Sequence, residues 1–171
     1  GAVGSGGSTP VHYFELDQLY VASGAPVRKR LAVMEAHRNE TLARDDATVA
    51  YAGLLTIGER PGDAIALLRG RVFNIWEGGV RFSAGDAWTN AHLARGRQHL
   101  AAGRSREALA DFRSALEFPD HLRADRREGT GGRTAEVAYW TGMAAQARGN
   151  RAAAFAAWRC ARSTCTPVGT T

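Results

Sequence analysis

The feature that most limits the fold is a self-match at one fixed offset. Gly96, Gly103, Ala108, Phe112 and Ala115 reappear as Gly142, Gly149, Ala154, Trp158 and Ala161, each 46 positions later. The first copy lies in the stretch from Trp88 to Pro119, WTNAHLARGRQHLAAGRSREALADFRSALEFP. It reads as two short helices, separated by a turn at Gly103 and packed back to back. Gly96 and Ala108 let two backbones approach, Phe112 fills the space beside them, and Leu116 and Pro119 close the unit. Five matches at one spacing describe a repeat, and such a unit buries its apolar face only by stacking on a neighbour.

This pattern resembles a tetratricopeptide repeat, a helix–turn–helix of about 34 residues with small, aromatic and proline positions at fixed offsets. The excess over that length is accounted for by an inserted loop. The resemblance implies an all-α array of about four helix pairs, coiled into a right-handed superhelix with a concave face. No strand-period alternation competes with it. The repeat domain is expected over residues 9–163, with units at 9–38, 44–70, 86–119 and 134–162. Inserted loops fall at 71–85 and 120–133, residues 1–8 form a flexible linker, and 164–171 form a tail.

Punctuation along the chain sets the expected boundaries. Thr9-Pro10 reads as a cap followed by proline at the first helical position. The first helix ends near Gly24, Pro26 restarts the chain, and Arg38 to Arg44 is a linker. Asp45 or Asp46 caps the third helix and Asp86 the fifth. Gly58 ends the third helix and Pro61-Gly62-Asp63 opens the fourth. The interval from Gly58 to Ala64 is six, against five from Gly103 to Ala108, so this turn is expected to be one residue longer.

Composition excludes several classes. The net charge is +5, but among 22 basic residues only Lys29 is a lysine, and acidic residues interrupt the arginine-rich runs 104–113 and 123–128. Arginine in such excess, with so much alanine and glycine, reads as the codon bias of a GC-rich genome rather than as a nucleic-acid surface, so no nucleic-acid partner is expected. No apolar run approaches the roughly 20 residues of a membrane helix, and no basic-then-apolar leader precedes the repeats. The expectation is therefore a cytoplasmic chain with no membrane partner. Cys160 and Cys165 are too few for a disulfide framework or a zinc site, although their separation permits a local disulfide. His92 and His99 stand seven apart, too far for a compact chelate. Nothing marks a metal site, a cofactor, a nucleophile or a paired-carboxylate site.

Four stretches carry a more specific likeness: YFELDQL (13–19), RDDATV (44–49), RVFNIWEGG (71–79) and AEVAYWTGMAAQARG (135–149). They resemble the C-terminal repeat region of large bacterial proteins in which a galactose-mutarotase-like β-sandwich of unknown function precedes tetratricopeptide repeats. The likeness covers residues 11–162 and departs after Pro119, where this chain reads DHLRADRREGTGG. It implies a carbohydrate-associated protein whose sugar-handling sandwich lies outside these residues.

Two groups of residues are candidate sites. In the repeat register the first helix of each pair lines the groove, projecting Phe14, Gln18 and Val21, then Thr48, Ala52 and Leu55, then Asn90, Leu93, Arg97 and Leu100, then Glu136, Tyr139, Met143 and Gln146. This mixture suits a protein segment, or the upstream β-sandwich, better than phosphate. In the loop, Trp76 beside Glu77 has the makings of a sugar contact, a ring face with a carboxylate; packing between repeats is the other reading. The expected function is a non-catalytic interaction module. The alternative is part of a carbohydrate-active enzyme, with Trp76 and Glu77 contributing a sugar-binding or domain-docking loop.

Overall fold

Four helices of this chain end in the same way. Gly24, Glu59, Gly103 and Gly149 each adopt a left-handed backbone, with φ of 68°, 64°, 75° and 75°. The next N–H then reaches back five residues: Ala25 to Tyr20, Arg60 to Leu55, Arg104 to His99 and Asn150 to Ala145, at 2.8–3.0 Å. This closure satisfies carbonyls that a helix end leaves open and reverses the chain into a second helix. Four identical closures mean four hairpins.

The structure, a computed structural model, describes residues 10–74, 83–122 and 133–162. Among them are nine α-helices and no strand. The hairpins are α1 (Pro10–Ala22) with α2 (Val27–Ala36), α4 (Asp45–Ile57) with α5 (Pro61–Arg69), α6 (Ala84–Ala101) with α7 (Ser105–Ser114), and α8 (Thr134–Ala147) with α9 (Arg151–Arg162). A short α3 (Arg38–Leu42) lies where the sequence reads as linker. Each hairpin rests on the one before it: α6 touches α4 and α5, and α8 touches α6 and α7. The fold is thus an all-helical repeat array.

The 46-residue offset is a packing rule. A Cβ at Gly96 would sit 2.4 Å from Phe112 Cε1, and one at Gly142 would sit 2.2 Å from Trp158 Nε1. Each ring occupies the space a side chain would need. Counted from the left-handed residue, the positions of Gly96 and Ala108 hold Ala52 and Ala64 in the second hairpin, all buried. In the first hairpin they hold Asp17 and Arg30, once the extra residue before α2 is counted. There a two-armed ion pair, Arg30 Nε and Nη2 donating to Asp17 at 2.7 and 2.8 Å, replaces the contact of small residues.

Several boundaries differ from expectation. The turn after α4 is no longer than the others, because its left-handed residue is Glu59 and not Gly58. Asp45 and Asp46 lie inside the first turn of α4, and neither caps it. Asp46 pairs with Arg44 at 2.6 Å. Asp45 accepts from the Asn74 backbone and side chain, each at 2.9 Å, and from Arg71, anchoring the segment that follows α5. Ser83, not Asp86, caps α6, its hydroxyl accepting from the Asp86 N–H. The connectors at 71–74 and 120–122 meet, Phe73 N–H donating to His121 O at 2.9 Å, and both Phe73 and Leu122 enter the core.

Two substitutions test this account. Gly96→Ala should destabilise by about 1–3 kcal/mol, as overpacking does, and more than Gly142→Ala, because the half-buried Trp158 has room to move and Phe112 has none. Equal thermal melts for the two variants would contradict the wedge. Glu59→Gly should raise the melting temperature slightly: removing a left-handed penalty of roughly 1–2 kcal/mol outweighs the about 0.4–1 kcal/mol by which glycine's added freedom favours the unfolded chain.

Candidate binding site

The groove residues do not share one environment. Leu93 is 1% exposed and belongs to the core cluster that also holds Val137 and Ala144, so it lines no open surface. Thr48, Ala52 and Leu55 are likewise buried. Counted back from Gly58 they match Leu93, Arg97 and Leu100, but counted from the left-handed residue Glu59 those places belong to Val49, Gly53 and Thr56. Phe14, Gln18, Asn90, Leu100 and Met143 are half-buried, while Val21, Tyr139 and Gln146 are exposed. Arg97 joins two hairpins, 3.8 Å from Glu136 and with its guanidinium 5.6 Å from the Trp140 ring centre. Trp76 and Glu77 lie outside the described residues, as does Cys165; Cys160 is half-buried on α9.

A cleft of about 460 Å³ opens between Arg38, at the start of α3, and the α4–α5 hairpin. Tyr51, Leu55 and Leu67 give it an apolar floor, and Arg60 and Asp63 stand at its edge. Arg60 is committed: hydrogen bonds to Glu35 and then to Asp63 raise its pKa above the usual guanidinium value. Arg38 donates from Nη1 to the Tyr51 hydroxyl at 3.2 Å and lies 5.8 Å from that ring's centre. No carboxylate among the described residues pairs with Arg38. With Arg60 paired to Glu35 and Asp63, Arg38 is the cation left over an apolar floor, and that suits a carboxylate carried on an aliphatic or aromatic body. Neither Arg38 nor Tyr51 stood out in the sequence, because they come from different helices, α3 and α4.

The equivalent layer of the next hairpin is filled by a buried ionic cluster. Asp111 on α7 accepts from His92 Nδ1 at 2.8 Å and from Arg95 Nε and Nη2 at 2.7–3.1 Å. His99 Nε2 is 3.4 Å away, its Nδ1 accepting from Arg104 Nε at 3.0 Å. Burial pushes the Asp111 carboxyl up, but hydrogen bonds from His92 and Arg95, with their charges, hold it below the usual value of 3.8. His92 Nε2 is buried without a partner. Two histidines seven apart carry no signal alone; the carboxylate that joins them sits on the other helix. The cluster fastens α6 to α7, and among the described residues no group of three or more His, Cys, Asp or Glu is placed to hold a metal ion.

No family model matches the chain, and no solved structure matches it. Among the described residues no helix is long and apolar enough to cross a membrane.

Because its folded pKa is depressed, Asp111 stabilises the fold above the ordinary carboxylate range. That contribution is lost as pH falls below about 3.8 toward the lower folded value. Asp111→Ala should cost about 3 kcal/mol at neutral pH, the low end for a broken buried pair because Arg95 is partly exposed. It should also flatten the acid limb of a chemical-denaturation stability profile between pH 5 and pH 2, on the order of the usual carboxylate range. An unchanged limb would remove Asp111 from this role.

Proposed function

We propose that this chain is a non-catalytic binding module, a tetratricopeptide-like array that holds a carboxylate-bearing protein segment in the cleft beside Arg38. The observation that carries this reading is the asymmetry of charge there. Arg38 meets an apolar floor with no acidic partner among the described residues, whereas the buried carboxylates Asp17, Asp46 and Asp111 are all engaged within the array. The likeness of residues 71–79 and 135–149 to bacterial carbohydrate-associated proteins adds a context. In that context the module is the C-terminal, cytoplasmic part of a larger protein, and its partner is a protein segment or an upstream β-sandwich. A sugar contact at Trp76 and Glu77 remains the alternative proposal from the same likeness.

Selection of displayed random peptides on the whole chain tests the module. Enriched sequences should carry an acidic residue next to an aliphatic or aromatic one. Arg38→Glu should weaken them about tenfold or more, the order of a charge-assisted hydrogen bond. Enrichment indifferent to Arg38 would rule the cleft out.

A further inference from the structure

Equivalent positions in the last two hairpins have opposite fates. Leu93 and Leu109 of α6–α7 correspond to Tyr139 and Phe155 of α8–α9, 46 positions on. Leu93 is 1% exposed, and Leu109 packs against the cluster containing Val137 and Trp140. Tyr139 and Phe155 are 47% and 57% exposed. The inner faces of the two hairpins are alike, with Ala108 and Ala154 both buried. What differs is the cover: α8 lies on α6–α7, and no described helix lies on α8–α9 beyond it.

The charge around this face is one-sided. On α9, Arg151, Phe155, Arg159 and Arg162 follow one another at intervals of four, four and three, which places them along one side of the helix. The corresponding line on the covered α7 is Ser105, Leu109, Arg113 and Leu116. Residues 134–162 hold four arginines and a single acid, Glu136, which is engaged by Arg133 at 2.8 Å and by Arg97. The helices that cover a preceding hairpin bring acid in their first turn: Asp45 and Asp46 on α4, Asp86 on α6, Glu136 on α8. Glu136 spends that charge on Arg97 of the hairpin beneath it.

We propose that the outer face of α8–α9, centred on Tyr139 and Phe155, is a docking surface for an acidic amphipathic helix of a partner protein, seated as α8 is seated on α6–α7. The apolar centre supplies burial, and the arginine line selects the sign of the flank. A second copy of the same face would set two arginine lines against each other, so charge complementarity favours an acidic partner over self-association. This surface is separate from the Arg38 cleft.

The test uses the whole chain and a fluorescent synthetic peptide that repeats the α8 spacing of Val137, Trp140 and Ala144, with glutamates on its flanks. Anisotropy should show saturable binding. Phe155→Ser should weaken it about tenfold or more, as loss of one aromatic anchor does, with an unchanged thermal melt. Arg151→Glu with Arg162→Glu should abolish binding of this peptide and create binding of its lysine-flanked counterpart. Arg38→Glu should change neither, which separates this surface from the cleft. Absent binding, or binding indifferent to Phe155 and to charge reversal, overturns the proposal. So does a lowered melt in Phe155→Ser, which would mean the chain covers this face itself. A Phe155-dependent dimer in sedimentation would assign the face to a second copy and overturn it equally.

Discussion

A ring packed where a Cβ would otherwise be sets the spacing of the third and fourth hairpins. Phe112 on Gly96 and Trp158 on Gly142 bring two helices closer than any side chain at those glycines permits. The close approach puts Ala108 and Ala154 fully inside and leaves the outer side of each hairpin free to receive the next. The second hairpin keeps the arrangement with alanines and Leu68. The first abandons it for the Asp17–Arg30 pair, so its helices are joined by charge in place of close contact, and α3 fills part of the space beside them.

Within this frame one layer of the array carries three chemistries. Tyr51, Leu55 and Leu67 occupy it in the second hairpin, Arg95, His99 and Asp111 in the third, and Thr141, Ala145 and Ala157 in the fourth. The backbone repeats while the layer changes from apolar to ionic to small. The ionic version closes the third hairpin on itself, since His92, Arg95 and His99 all converge on Asp111. The apolar version leaves its floor open to the cleft that Arg38 overlooks. A repeat array can thus vary its surfaces without disturbing the contacts that stack it, because stacking and layer chemistry depend on different positions.

The repeat, the number of hairpins and the turns at Gly103 and Gly149 were legible because glycine and small residues mark them directly, whereas α6 is capped by Ser83 and not by Asp86. The fourth unit runs from Thr134 to Arg162, as its punctuation implies. The second unit was legible only to within one residue. Glycine is the usual sign of a left-handed turn, and Glu59 takes that conformation with Gly58 immediately before it. That single displacement sent Thr48, Ala52 and Leu55 from an expected groove into the core. Arg38–Leu42 read as linker because a helix this short has no period to detect.

By itself, then, the sequence determined the local geometry: where helices stop to within a residue, which small and aromatic positions close the last two hairpins, and that four hairpins follow one another. Those properties depend on residues within one hairpin, and the spacing of small and aromatic positions records them. Only the tertiary structure decided which of those positions meet water. Leu93 and Tyr139 hold the same place in their helices, yet α8 covers the first and no described helix covers the second. The Asp111 cluster and the Arg38 cleft were decided in the same way, by side chains brought together from separate helices. Burial and charge pairing are properties of neighbours, and a repeat's own sequence does not say what is stacked upon it.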